Sequence, residues 1–380
     1  MTAIYLDWNA TAPLSAVARA AWLSAQDDAW GNPGSVHDQG QRARHAIDQA
    51  KATCARVLCC RTNELIVTSG GTEANALAIH AAAESASANG GNAALILASA
   101  IDHSSVLRNA ELYGRLVKLP VDQQGRLHPQ VVQEAMKDKP ALVCFQFANN
   151  ELGTRQDVSA LVAAVRAVSP QTRVLLDCAQ GAGKAIIDLR ALDVDFSSIA
   201  GHKFGAPKGV GLLYVKNGVR LPPLIAGGRQ QQDRRSGTED AAGITALAAA
   251  LSAAATHAEE EDIRQRLLLE SAFARIVRDL PQAQWLAHAA ERLPNTLSLA
   301  HPGIANETLV MRLDLAGIAV STGAACMAAR GEQSHVIAAL GIAPDLARGV
   351  IRVSIGSTTT VADLDVFVAT YVREVRALVR

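Results

Sequence analysis

Val174-Leu175-Leu176-Asp177 and, further on, Ser197-Ser198-Ile199-Ala200-Gly201-His202-Lys203-Phe204-Gly205 decide how this chain is read. The first stretch is a short apolar run that ends in an acid. The second is another such run, and it ends in a Gly- and His-containing turn that carries a lysine. Working outward, similar apolar runs occur at 65–67, 94–97, 116–119, 141–145 and 211–215. Segments with helical spacing lie between most of them, at 72–83, 104–113, 129–136 and 158–168, and a further helical pattern covers 35–58. Seven short strands alternating with helices predict an α/β fold with a mainly parallel, seven-stranded sheet covered on both faces. Ligands of such sheets sit beyond the carboxyl ends of the strands. Asp177 and Lys203 both fall there.

After Asp240 the pattern changes. An Ala- and Leu-rich helical region runs to about Leu280 and reads as a spacer between domains. A second alternation follows, with strands at 295–299, 318–320 and 349–354 and helices near 306–315, 334–340 and 361–379. We expect a large domain at 13–255. A smaller α/β domain is expected from 1–12 plus 256–380, carrying a cysteine loop at 321–333.

The bulk composition narrows the function. With 49% hydrophobic and 19% charged residues in 380, the chain can bury a sizeable core. Thirty-six basic residues balance 36 acidic ones, so nothing points to nucleic acid or to an anionic membrane surface. The N-terminus lacks the basic and apolar regions of a signal peptide, and no apolar stretch reaches membrane-spanning length. The six cysteines, Cys54, Cys59, Cys60, Cys144, Cys178 and Cys326, form no C-x-x-C pair. Neither a metal site nor a disulfide framework is expected, and a cytoplasmic location is the simplest expectation.

Several motifs carry chemistry. A lysine in a turn beyond one strand and a carboxylate at the end of another suit pyridoxal 5'-phosphate: Lys203 would form a Schiff base with the aldehyde, and Asp177 would pair with the pyridine nitrogen. Thr68-Ser69-Gly70-Gly71-Thr72-Glu73 follows a strand and opens a helix, where backbone N–H groups attract phosphate, although an ordinary capped turn looks the same. It matches neither a nucleotide P-loop nor a dinucleotide fingerprint. His103 could lie over a cofactor ring and move protons, or simply cap a helix. Asn149-Asn150 offers donors and acceptors at a strand end, or forms a turn. Gln180 is placed to donate to the cofactor's ring hydroxyl. Cys326 sits among small residues in Ser321-Thr322-Gly323-Ala324-Ala325-Cys326, as a nucleophile needing access would, or as an inert thiol in a loose turn. Arg352 lies inside an apolar strand and needs a carboxylate, from a ligand or from within the protein.

Taken in order, these segments resemble the NifS/IscS-like cysteine desulfurases, in the class-V aminotransferase group of fold-type I pyridoxal phosphate enzymes. The motifs are Tyr5-Leu6-Asp7-Trp8-Asn9-Ala10-Thr11, Gly31-Asn32-Pro33-Gly34-Ser35, Ser69-Gly70-Gly71-Thr72-Glu73, Asn149-Asn150-Glu151-Leu152-Gly153, Gly201-His202-Lys203, Arg235-Ser236-Gly237-Thr238 and Gly323-Ala324-Ala325-Cys326. The resemblance implies a cysteine desulfurase that takes sulfur from L-cysteine, releases L-alanine and leaves a persulfide on Cys326. By the same resemblance Lys203 carries the cofactor and His103 stacks on its ring as acid and base. Asp177 binds the ring nitrogen, Gln180 the ring hydroxyl, and Gly71, Thr72 and His202 the phosphate. Asn32, Asn150 and Arg352 hold the substrate, and Asn150 also contacts the cofactor. Thr238 reaches the phosphate of a neighbouring subunit, which implies a homodimer. A sulfur-acceptor protein completes the reaction, whether for iron–sulfur cluster assembly, tRNA thiolation or a dedicated biosynthetic route. A selenocysteine lyase or an aminotransferase on the same fold is the alternative, and a non-enzymatic binding protein a third.

The chain departs from that pattern in three places. Ala200 stands where the family usually has a serine, and one lost hydroxyl weakens phosphate binding by about 1 kcal/mol. The cysteine loop has Ala where other members are Ser-rich. The sequence stops at Arg380, without the longer tail that docks an iron–sulfur scaffold protein, so a different acceptor is expected.

Overall fold

The computed structural model describes residues 3–87, 93–323 and 333–379. Its strands are β1 Ile4–Tyr5, β2 Leu65–Thr68, β3 Leu95–Ser99, β4 Arg115–Leu119, β5 Leu142–Gln146, β6 Arg173–Asp177, β7 Phe196–Ala200, β8 Gly211–Val215, β9 Gln284–Trp285, β10 Thr296–Ala300, β11 Ile318–Ala319 and β12 Val350–Ser354. Seven of them form one sheet in the order β2-β8-β7-β6-β5-β3-β4, in which only β8 runs against the rest. The mainly parallel sheet expected from the alternating runs is present.

Burial on both faces explains the near-continuous apolar strands. Successive side chains of a strand point to opposite faces. Val143, Phe145, Val174, Leu176, Ile199 and Leu212 enter one core, and Leu142, Cys144, Leu175, Phe196 and Leu213 enter the other. The helices α1 Ala16–Asp28 and α2 Asp38–Val57 pack with the helix Ala241–Thr256 on the first face. The helices α3 Gly71–Ser87 and α4 Ser104–Tyr113 cover the second. α3 fits there because its small residues Ala74, Ala78, Ala81 and Ala82 let it approach β7 and β8 closely.

A separate core gathers Leu6, Leu297, Leu299, Ile351, Val353, Phe367 and Tyr371. Here β12, β10 and β9 form an antiparallel sheet, backed by the helices Ala258–Asp279 and Val361–Leu378. β1 pairs in parallel with β11, Ile4 opposite Ile318, which ties the first residues to this core. The spacer expected as one helical region is two helices, Ala241–Thr256 and Ala258–Asp279, bent by 66° at His257. Among the described residues no single helix is long and apolar enough to cross a membrane.

β8 also shapes the turn after β2. A Cβ on Gly211 would lie 2.5 Å from the Ile199 carbonyl oxygen and 2.7 Å from the Gly70 Cα. The missing side chain lets the Gly70 turn lie directly on the sheet. Gly211→Ala is expected to destabilise the fold by about 1–3 kcal/mol through overpacking. Urea unfolding checks this, and an unchanged midpoint would contradict it.

Candidate active site

All the parallel strands of the large sheet end on one side, so the turns after β2, β3, β5, β6 and β7 meet there. They enclose a cavity of about 320 Å³. Gly71, Thr72, His103, Asn150, Asp177, Gln180, His202, Lys203 and Arg352 all line it. These are nine of the twelve residues singled out in the sequence.

The middle of the cavity is acidic. Asp177 ends β6, is buried, and accepts from Asn75 Nδ2 at 3.1 Å and from the Ala179 N–H at 2.9 Å. Asn75 Nδ2 also donates to Ser105 Oγ at 3.0 Å, while its Oδ1 is buried with no partner among the described residues. His103 caps α4, its Nδ1 accepting from the Ser105 N–H at 3.1 Å. That leaves the proton on Nε2. Burial lowers the His103 pKa; the charge of Asp177 opposes this, and Lys203 and His335 add to it. His103 therefore caps a helix and borders the cavity.

Lys203 Nζ reaches across to the N-terminal segment and donates to the carbonyls of Asn9 at 2.7 Å and Ala10 at 2.9 Å. Gln180 Nε2 donates to the same Asn9 carbonyl at 3.0 Å. At one end of the cavity lie Gly71 and Thr72, the first residues of α3, with His202 and Ala200. A Cβ built on Gly71 would sit 3.4 Å from that of Ala200. The alanine thus faces the helix start and offers it no hydroxyl.

The other end is built around Arg352, Asn150 and Glu151. Arg352 is buried and pairs with Asp7, and its Nη1 donates to the carbonyls of Gly323 at 2.8 Å and Asn150 at 3.2 Å. The internal acid left open by the sequence is Asp7. Arg352 Nε has no partner among the described residues. Asn149 is a turn residue, its Oδ1 accepting from the N–H groups of Glu151 and Leu152. Glu151 accepts from Ser334 Oγ at 2.7 Å. Burial raises its pKa, against the Ser334 hydrogen bond and the charges of Arg352 and His335.

Three sequence candidates are not in this cavity. Asn32 and Thr238 are exposed elsewhere on the chain. They belong to neighbouring segments, because Arg44 donates to the Pro33 carbonyl and pairs with Glu239 at 2.7 Å. Cys326 lies outside the described residues. No described cysteine lines the cavity. Burial pushes the thiols of Cys54, Cys60 and Cys178 up to about 12 and that of Cys144 well above its ordinary value. Sequence reasoning missed Asn75, Ser105, Glu151 and His335 as cavity residues, and no local pattern marks them.

The donor set fits pyridoxal phosphate. A helix N-terminus with a hydroxyl and a histidine suits a phosphate, a buried carboxylate suits a protonated ring nitrogen, and the Lys203 amine borders the same cavity.

Comparison with known proteins agrees. The aminotransferase class-V family model matches residues 4–367. A cysteine desulfurase of Cereibacter sphaeroides is 37% identical, covering 96% of this chain and 94% of its own length. The cysteine desulfurase IscS of Methanosarcina thermophila is 35% identical, covering 96% and 89%. The solved structure of a NifS-like protein, 29% identical, superposes with a TM-score of 0.92 over 99% of this chain and all of that one. The chain belongs to the aminotransferase class-V family, among its NifS/IscS-like cysteine desulfurases.

Proposed function

We propose that this protein is a pyridoxal phosphate-dependent cysteine desulfurase that takes sulfur from L-cysteine, releases L-alanine and passes the sulfur from Cys326 to an acceptor protein. The observation that carries the reading is one cavity bordered by Lys203, Asp177, His103 and the start of α3, in a chain with cysteine desulfurase relatives. Bound there, pyridoxal phosphate supplies an aldehyde for amine exchange and a protonated ring that withdraws electrons from an amino acid's α-carbon.

The residues then divide the work. Gly71, Thr72 and His202 hold the phosphate, Asp177 the ring nitrogen and Gln180 the ring hydroxyl. Arg352 and Asn150 orient the substrate's carboxylate. Lys203 would take the proton from the substrate's α-carbon. His103, with its proton on Nε2, would serve as an acid at the cavity wall. The Cys326 thiolate attacks the substrate sulfur: an S–S bond forms and the substrate Cβ–S bond breaks. Its electron pair goes to the carbon fragment, which leaves as alanine after protonation. The described thiols support the assignment to Cys326, since burial holds four of them protonated and the fifth, Cys59, is exposed away from the cavity. Asn32 and Thr238 belong to a patch that also exposes Trp30 and Val36. We assign that patch to a homodimer contact through which both residues complete the partner's site.

Incubation with L-cysteine should add one sulfur atom to the peptide containing Cys326 and release alanine, as read by mass spectrometry. Cys326→Ala should lose sulfur transfer by at least about a hundredfold, the usual scale for a missing catalytic group. Undiminished release of reduced sulfur by that variant would contradict the mechanism.

The fold has its own pH signature. Burial, then the charges of Lys203 and Lys208, hold the His202 pKa down to about 4, against about 6.5 in the unfolded chain. Above the unfolded value both states are neutral. Between the two values only the unfolded state takes up the proton, so stability falls as the pH drops through this window. His202→Gln should flatten the fall in urea midpoint between pH 7 and about 4, and an unaltered slope would rule His202 out as its source.

A further inference from the structure

Lys184 is a second amine close to Lys203 that the mechanism leaves unused. Its Nζ donates to Gln180 Oε1 at 2.7 Å and to Asn9 Oδ1 at 2.8 Å. The turn Cys178–Ala185 folds tightly, with the Ala182 N–H on the Cys178 carbonyl and the Lys184 and Ala185 N–H groups on Gly181. This brings Lys184 back beneath Gln180. Lys184 borders a different cavity, of about 470 Å³, on the far side of Lys203. It therefore acts on the site from behind.

The hydrogen bonds leave each amide one orientation. Asn9 Nδ2 donates to Thr296 Oγ1 at 2.8 Å and to the Asn150 carbonyl at 3.1 Å, so Asn9 turns its Oδ1 to Lys184. Gln180 Nε2 donates to the Asn9 carbonyl, so its Oε1 also faces Lys184. Burial, then Lys203 and Arg352, push the Lys184 pKa well below that of an ordinary lysine. Even a neutral amine keeps two N–H groups, one for each oxygen. With its oxygen taken, Gln180 has a single group left for the cavity it lines, the second N–H of its amide. Without Lys184 only the Asn9 carbonyl would oppose a turn of the amide that brings its oxygen toward the anionic oxygen that pyridoxal phosphate carries beside its aldehyde.

We propose that Lys184 is a positioning residue that locks the Gln180 amide with an N–H toward the ring-oxygen end of the cofactor site. The proposal rests on the pyridoxal phosphate reading of the cavity. It also explains why one hydrogen-bond network holds two amines of which only one borders the ring site: Lys203 lines that cavity, and Lys184 holds the residue beside it.

The test compares wild type, Lys184→Met, Lys184→Arg, Gln180→Met and the double Met variant, each full length and saturated with pyridoxal phosphate. The visible absorption of the bound cofactor is titrated with pH. A hydrogen bond to an anion favours the anion, so losing it raises the titration midpoint. Asp177, Glu151, His103, His202, His335, Lys203 and Arg352 also face the cavity and are the same in every arm. Lys184→Met is expected to raise the midpoint by about one unit, Gln180→Met to do the same, and the double variant to go no further than either. Lys184→Arg, which keeps a donor, should restore most of the wild-type value. An unmoved midpoint in Lys184→Met, or a double variant whose shift is the sum of the two singles, overturns the proposal. If Lys184→Met does not fold, a crystal structure of the loaded wild type decides: Lys184 Nζ beyond hydrogen-bonding distance of Gln180 Oε1 overturns it, and the contact retained supports it. A wild type that stays colourless with added cofactor sinks the cofactor reading itself, whereas a normal wild type beside an unresponsive Lys184→Met sinks only the role given to Lys184.

Discussion

One buried asparagine near the start of the chain ties the molecule together. Asn9 donates its backbone N–H to Ser354 Oγ in β12 at 3.0 Å and gives two more hydrogen bonds through its amide, to Thr296 and Asn150. Its carbonyl accepts from Lys203 and Gln180, and its Oδ1 from Lys184 and Asn295. These bonds join the small sheet, the turn after β5, the turn after β6 and the lysine after β7. A buried amide left half-paired costs about 1–3 kcal/mol for each lost partner, so Asn9 fixes both the N-terminal segment and the position of the lysine. The chemistry depends on that placement, because an amine must be held within reach of its target before its basicity matters.

The large sheet was legible because it is buried on both faces. The run 211–215 is β8 to the residue, and the others shift by one or two residues at their ends. The helix over 104–113 is α4 as read, since His103 closes its N-terminus and Gly114 its C-terminus. α1 went unseen: Ala-rich, with Val17 and Leu23 exposed, it lacks a clear apolar stripe. The bend at His257 was also hidden, because the helical pattern continues on both sides of it.

The site divides in the same way. Asp177 and Lys203 could be found from local order alone, as each follows an apolar run. Asn75 could not, because its link to Asp177 spans 102 positions and is made only when α3 packs over β6. Glu151 was quoted within a motif without a role, and only the fold brings Ser334 to its carboxyl. For Arg352 the sequence left two partners open, and the fold supplies Asp7 while keeping the guanidinium at the cavity wall. Asn32 and Thr238 lie outside the cavity of their own chain, which a linear motif has no means to reveal.

The chemistry depends on which amine takes the cofactor, and the protein offers two within one hydrogen-bond network. Borohydride reduction of the protein loaded with pyridoxal phosphate fixes the linkage permanently, and peptide mass spectrometry then locates it. A single phosphopyridoxyl group on Lys203 is the predicted result. The same group on Lys184, or no lysine labelled at all, would contradict the account.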